Sequence, residues 1–157
     1  MNDKRNYIAD DVDRQVLEIL QVSGRASASH IADKIEMSIP AVSERIRKLQ
    51  DSGVISGFKA VVNPRSVGLD VSALITVVSE TSAHYGEIVE NAKNNREILR
   101  CFSTTGRGSH VLFVQTENTA SLEKLLREIQ TWPGVDRTET QLILSSYKEL
   151  SPIHIPC

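Results

Sequence analysis

Apolar residues recur at three- and four-residue steps through the first third of the chain, whereas long stretches of the remainder alternate at two. The first texture predicts helices and the second predicts strands. Val12, Val16, Leu17 and Leu20 form one stripe, opened by the acids Asp10 to Asp13 and stopped by Ser23-Gly24. Acids there suit the positive end of a helix dipole. A second helix, capped by Ser27, carries Ile31 and Ile35, and Glu36-Met37-Ser38 turns the chain into a third. Ser38 is its N-cap, Pro40 sits in the first turn where a missing N–H costs nothing, and Ile39, Val42, Ile46 and Leu49 make its apolar stripe. After Asp51-Ser52-Gly53, Val54-Ile55 and Phe58 to Val62 read as short strands around Gly57, ended by Asn63-Pro64. Three helices and a small hairpin predict a winged helix-turn-helix over residues 1–63.

Beyond Ser66 to Gly68, the end of a linker, the period changes. Asp70 to Ser79 alternates and is rich in Val, Ile and Thr; Tyr85, Ile88, Val89 and Ala92 then repeat at helical spacing. Ile98 to Thr105 and His110 to Thr116 read as strands joined by Gly106-Arg107-Gly108-Ser109. A helix capped near Thr119 carries Leu122, Leu125, Leu126 and Ile129 and stops at Trp132-Pro133-Gly134, and Arg137 to Tyr147 reads as a last strand. The order βαββαβ predicts a ferredoxin-like domain over residues 64–157, with both helices on one sheet face, so the chain is of α+β class. The other face has no cover, and self-association is its simplest supply.

Composition narrows the class. With 157 residues, 40% hydrophobic and 24% charged, the chain suits one or two small globular domains. No apolar run approaches the roughly 18 residues of a membrane helix, which leads us to expect a cytoplasmic protein. The two cysteines, Cys101 and Cys157, are far apart and form no CxxC, so neither a disulfide framework nor a zinc site is expected, and the pattern calls for no metal or cofactor. Net charge is -2, yet Arg25 to Arg65 holds seven cations against four acids, and Ser66 to Cys157 holds eight against eleven. A basic segment on an otherwise acidic chain fits a local nucleic-acid site.

That site has an evident candidate. One side of the third helix is core; Ser38, Pro40, Ala41, Ser43, Glu44, Arg45, Arg47 and Lys48 lie off the stripe. In a helix-turn-helix the second helix of the motif is clamped by its apolar side while the other enters the major groove. Arg there pairs with guanine edges, Ser and Lys hold phosphates, and Glu44 either accepts from cytosine or salt-bridges Arg47 or Lys48. The plainer alternative is a solvated face on a three-helix bundle.

The whole chain resembles the Lrp/AsnC, or feast/famine, family of transcription regulators, from DDVDRQVLEILQVSGRAS through IADKIEMSIPAVSERIRKLQDSGVISGFKAVVNP to TTGRGSHVLF and WPGVDRTET. The resemblance implies sequence-specific regulation of double-stranded DNA, homodimers assembling to octamers, and an amino acid or related metabolite as effector. It places effector contacts at Thr104, Thr105, Gly106, Arg107, Gly108, Ser109 and His110, with Thr138 and Thr140 offered from a neighbouring chain. Many members carry an aromatic residue and an acid where this chain has Gly108 and Ser109. Independently of the family, glycines at 106 and 108 expose backbone N–H groups that suit a carboxylate and Arg107 adds a cation; a tight hairpin needs the same glycines for its backbone angles.

Catalysis has little to stand on. His84, Glu87 and Glu90 sit at three-residue steps as a metal site would, or as the solvated face opposite Tyr85, Ile88 and Val89. Cys101 and His110 fall on adjacent strands, where Cys more often packs as a small hydrophobe. The rival readings are an architectural DNA-wrapping protein without effector and an enzyme of ferredoxin-like fold.

Overall fold

The computed structural model describes residues 7–148 and 150–156; Cys157, one of the two thiols, lies outside them. The chain forms two compact units, residues 1–61 with 148–157 and residues 62–147.

Three helices build the first unit: α1 (Asp11–Val22), α2 (Ala28–Ile35) and α3 (Ile39–Asp51). Each start is fixed by a side chain. Asp10 and Asp13 form a reciprocal capping box at α1, Ser27 accepts from the His30 N–H, and Ser38 accepts from the Ala41 N–H. Glu36, in the left-handed region at φ 56°, ends α2 and makes the turn. Val16, Leu17, Leu20, Ile31, Ala32, Val42 and Leu49 are buried together, with Ile35, Met37 and Ile46 packed on them. Each fully buried aliphatic side chain here contributes about 1.5–3 kcal/mol. Ala32, 2% exposed, provides the small residue a close helix crossing needs.

Three expectations for this unit change. Ile39, placed in the stripe by its spacing, is 50% exposed, and core contact begins at Val42. The wing strands expected at Val54-Ile55 and Phe58 to Val62 do not form among the described residues. The Ile55 N–H is taken by Leu49 O at 2.9 Å, Gly57 turns the chain at φ 151°, and so short a hairpin is marginal without a further strand beside it. Residues 148–157 follow the second unit in sequence yet group with the first. There the Gln21 amide donates to Ile153 O at 3.2 Å and accepts from Ile153 N–H at 2.7 Å, and Ile155 packs on the helical core.

The second unit is a four-stranded antiparallel sheet of β1 (Val71–Val78), β2 (Ile98–Ser103), β3 (His110–Thr116) and β4 (Arg137–Leu142) in the order β2-β3-β1-β4. The helices α4 (Tyr85–Asn94) and α5 (Thr119–Gln130) complete βαββαβ. Ala73, Ile75, Val77, Leu112 and Val114 pack under Ile88, Ala92, Leu122, Leu125 and Ile129. Alternation sends Leu74, Thr76, Val78, Val111 and Phe113 to the opposite face, where they stay partly exposed. The last strand stops at Leu142 rather than Tyr147 because its partner runs out: Ile143 N–H still reaches Ser72 O, but β1 begins at Val71.

Candidate nucleic-acid and effector sites

On α3 the exposed surface is made by Ser38, Ile39, Pro40, Ser43, Glu44, Arg47 and Lys48, with Ala41 partly buried behind them. Ser38 spends its hydroxyl on the cap, 3.4 Å from the Ala41 N–H. Arg47 lies along the helix. Its Nε and one terminal nitrogen donate to the two Glu44 oxygens at 2.9 and 2.7 Å, and the other terminal nitrogen donates to Asp51 at 2.9 Å. These contacts hold the Glu44 carboxyl below its ordinary range and push the guanidinium up. Lys48 Nζ stands 3.9 Å from Glu44.

Arg45 belongs elsewhere. Its guanidinium turns from the exposed face toward α1, bonding Asp10 and reaching Asp13 at 3.1 Å. Asp13 is 1% exposed and also accepts from the Tyr7 hydroxyl at 2.8 Å and the Asp10 N–H at 3.3 Å. The Asp13 N–H first, and Arg45 second, keep the Asp10 carboxyl low; burial first, and the Asp13 contact second, push the Tyr7 phenol up. A buried carboxylate needs this many donors. The geometry makes Arg45 a clamp between α3 and the start of α1, a role that a helical wheel does not reveal.

In the second unit, the turn between β2 and β3 has an exposed rim and a buried root. Thr104, Thr105, Gly106 and Arg107 are exposed, and Gly106 has φ 107°, a region open chiefly to glycine. Gly108 is needed for a different reason: a Cβ there would come 2.2 Å from Thr76 Cγ2 and 3.0 Å from Val77 O. Ser109, 8% exposed, donates both its N–H, at 2.9 Å, and its hydroxyl, at 3.3 Å, to Val77 O. His110, 2% exposed, sets Nδ1 2.9 Å from Ser109 Oγ and lies edge-on to Tyr85 with ring centres 4.9 Å apart. Burial lowers its basicity. Thus Ser109 and His110 build the turn from beneath, and an acid at 109 would face a carbonyl oxygen.

Thr138 and Thr140 lie on β4 opposite Val77 and Ile75, on the helical side of the sheet. Gln130 Nε2 lies 3.4 Å from Thr138 Oγ1. Since Val77 also pairs with His110, Thr138 stands two strands from the turn, roughly 10 Å away. Thr138 and Thr140 of a chain are therefore not part of that chain's own turn.

The residues weighed for catalysis have ordinary partners. His84 Nδ1 is 3.0 Å from Glu87, and Glu90 pairs with Lys93 at 2.6 Å. Cys101 is half-buried, with its thiol pushed up by burial, which is the state of an unreactive cysteine. Among the described residues no helix is long and apolar enough to cross a membrane.

A capped helix-turn-helix followed by a βαββαβ domain defines a two-part regulator, with one part to hold DNA and another to hold a ligand. Comparison with known proteins makes this specific. The Lrp/AsnC ligand binding domain matches residues 70–153, and a winged helix-turn-helix DNA-binding domain matches residues 10–56. The HTH-type transcriptional regulator FL11 of Pyrococcus abyssi is 34% identical over 93% of this chain and 96% of its own. The structure of Escherichia coli AsnC superposes with TM-score 0.86 at 25% identity, covering 92% of this chain and 98% of that one. A feast or famine regulatory protein from M. tuberculosis, complexed with L-methionine, superposes with TM-score 0.87 at 33% identity, covering 94% and 99%. The chain belongs to the Lrp/AsnC family and is an HTH-type transcriptional regulator.

Proposed function

We propose that the first unit reads double-stranded DNA through α3 and that the second unit, residues 62–147, binds an amino acid or related metabolite that sets how the protein engages DNA. The observation that carries the first half is the division of α3: Val42 and Leu49 are buried while Ser38, Pro40, Ser43, Glu44, Arg47 and Lys48 stand exposed. In this reading Lys48 and Ser43 hold phosphates, Ser38, Pro40 and Ala41 bring the helix start against the groove, and Glu44 and Arg47 meet base edges. Arg45 serves by fixing the helix in place. With both arginines of α3 engaged by acids, the surface is poorly suited to sequence-independent wrapping.

For the effector, the exposed rim of Thr104, Thr105, Gly106 and Arg107 offers hydroxyls, an open backbone and a cation to a carboxylate, over the root of Gly108, Ser109 and His110. The relative from M. tuberculosis is complexed with L-methionine, which supports an amino acid of this kind. No acid stands in the rim to take an ammonium group, so Thr138 and Thr140 of a neighbouring chain fill that role. The uncovered face of Leu74, Val78, Val111 and Phe113 supports a homodimer, and the family suggests further assembly to an octamer. Its place of action is the cytoplasm, and regulation rather than turnover is its work.

Duplexes enriched from a random-sequence pool by the full chain, then titrated with and without each common amino acid, test this. Enrichment of one motif, with affinity or oligomer size shifted by at least one amino acid, is expected. No enrichment would overturn the DNA reading; enrichment with no amino acid acting, and none binding by calorimetry, would remove the effector half alone.

A further inference from the structure

The reading helix carries its own neutraliser. Arg47 donates three hydrogen bonds along the helix surface, two to Glu44 and one to Asp51, and Lys48 lies 3.9 Å from the same Glu44. Arg45 is withdrawn to Asp10 and Asp13. The exposed cations Arg47 and Lys48 thus stand against Glu44 and Asp51, and this part of the face carries no net charge. A face meant only to grip phosphates would not be built so.

We propose that Glu44 is a specificity-determining residue: it holds Arg47 on the helix surface where the facing base presents only acceptors and releases it only where that base presents a hydrogen-bond donor to the carboxylate. The chemistry follows from the groove. Where the base facing it is guanine or thymine, Glu44 meets only the N7, O6 or O4 acceptors, is repelled, and keeps Arg47. Over a cytosine N4 amine, or the N6 amine of adenine, the carboxylate gains the partner it gives up, and the guanidinium is free to swing to a guanine edge or a phosphate. Exposed ion pairs are weak, so the exchange needs only one matching base. Wrong sequences are disfavoured by a carboxylate left facing an acceptor, which is discrimination by repulsion as much as by attraction. This rests on the DNA-reading role of α3 proposed above.

The test uses the full chain, one duplex enriched from a random pool by the unaltered protein and a scrambled duplex of equal length, with affinity measured across a salt series. In Glu44→Gln the side chain keeps its length and loses its charge on an exposed helix surface, so folding is expected to persist, as circular dichroism would verify. Freed of Glu44 and held only by the exposed pair with Asp51, Arg47 should take one more phosphate on the scrambled duplex, steepening the log–log salt slope by roughly 0.9 and raising affinity about five-fold at roughly 0.15 M salt. The enriched duplex should gain little or lose, so that the specificity ratio falls at least five-fold, and the gain should vanish in Glu44→Gln/Arg47→Gln. Unchanged scrambled-duplex affinity and slope would overturn the proposal. So would an equal gain on both duplexes, which would make Glu44 a general repeller. Failure of the unaltered protein to prefer any duplex would instead overturn the DNA reading itself, and this inference with it.

Discussion

Arg45 of α3 reaches back to Asp13 of α1, with Nη1 3.1 Å from a carboxylate that is 1% exposed. The contact ties α3 to the first helix at a point where the Asp10 cap and the Tyr7 hydroxyl also converge. A buried carboxylate stripped of one donor retains its desolvation cost and loses the compensation. Position on the helix surface and use of a cation are therefore separate matters in this protein.

Replacing Arg45 with Gln should lower the stability of the first unit by about 2 kcal/mol, since it leaves Asp13 with two neutral donors. The urea midpoint of the helical transition measures this. Asp13→Asn combined with Arg45→Gln should cost less than the sum of the single changes. Strict additivity would show that the two side chains do not act as a pair.

At the turn between β2 and β3, Gly108→Ala should destabilise the second unit by about 1–3 kcal/mol, because the new methyl meets Thr76 Cγ2 on a stiff β-branched side chain. Thr76→Ser removes that atom and should recover part of the loss, with the remainder due to Val77 O. Thermal unfolding of the two single variants and the double variant reads the coupling. If Thr76→Ser recovers nothing, the close approach is not the reason for the glycine.

His110 should give the second unit an acid sensitivity. Burial lowers its folded pKa below the ordinary 6.5, so the unfolded chain binds a proton where the folded one does not. Stability is then complete above pH 6.5 and declines as pH falls from there toward the folded value. Unfolding followed between pH 8 and 5 should show this decline, and His110→Gln should flatten it. An equal decline in the variant would assign the effect to other groups.

Much of this architecture is legible in residue order. Ser27 and Ser38 announce their helices because capping is local, and the alternation of Val71 to Val78 announces a strand because one face is buried. The features that escaped depend on distant partners. Arg45 finds Asp13 32 residues away, and Ile155 finds a core built from residues 16–49. The residues Phe58 to Val62 have strand composition but gain no ladder partner, and composition cannot supply one. At Gly108 and Ser109 the turn was readable, but the tight contact with Thr76 and the carbonyl of Val77 was not, because β1 lies over thirty residues earlier in sequence.

Whether α3 reads DNA with its exposed cations Arg47 and Lys48 while Arg45 only holds the helix in place is decided by the salt dependence of binding to an enriched duplex. Log affinity against log salt should fall linearly for the unaltered chain. Lys48→Gln should make the slope shallower by roughly 0.9, as the loss of one phosphate contact requires, and Arg45→Gln, at a temperature where it remains folded, should leave the slope unchanged. Equal slopes for the unaltered chain and Lys48→Gln, or a shallower slope for Arg45→Gln alone, would show that the two cations do not have these roles.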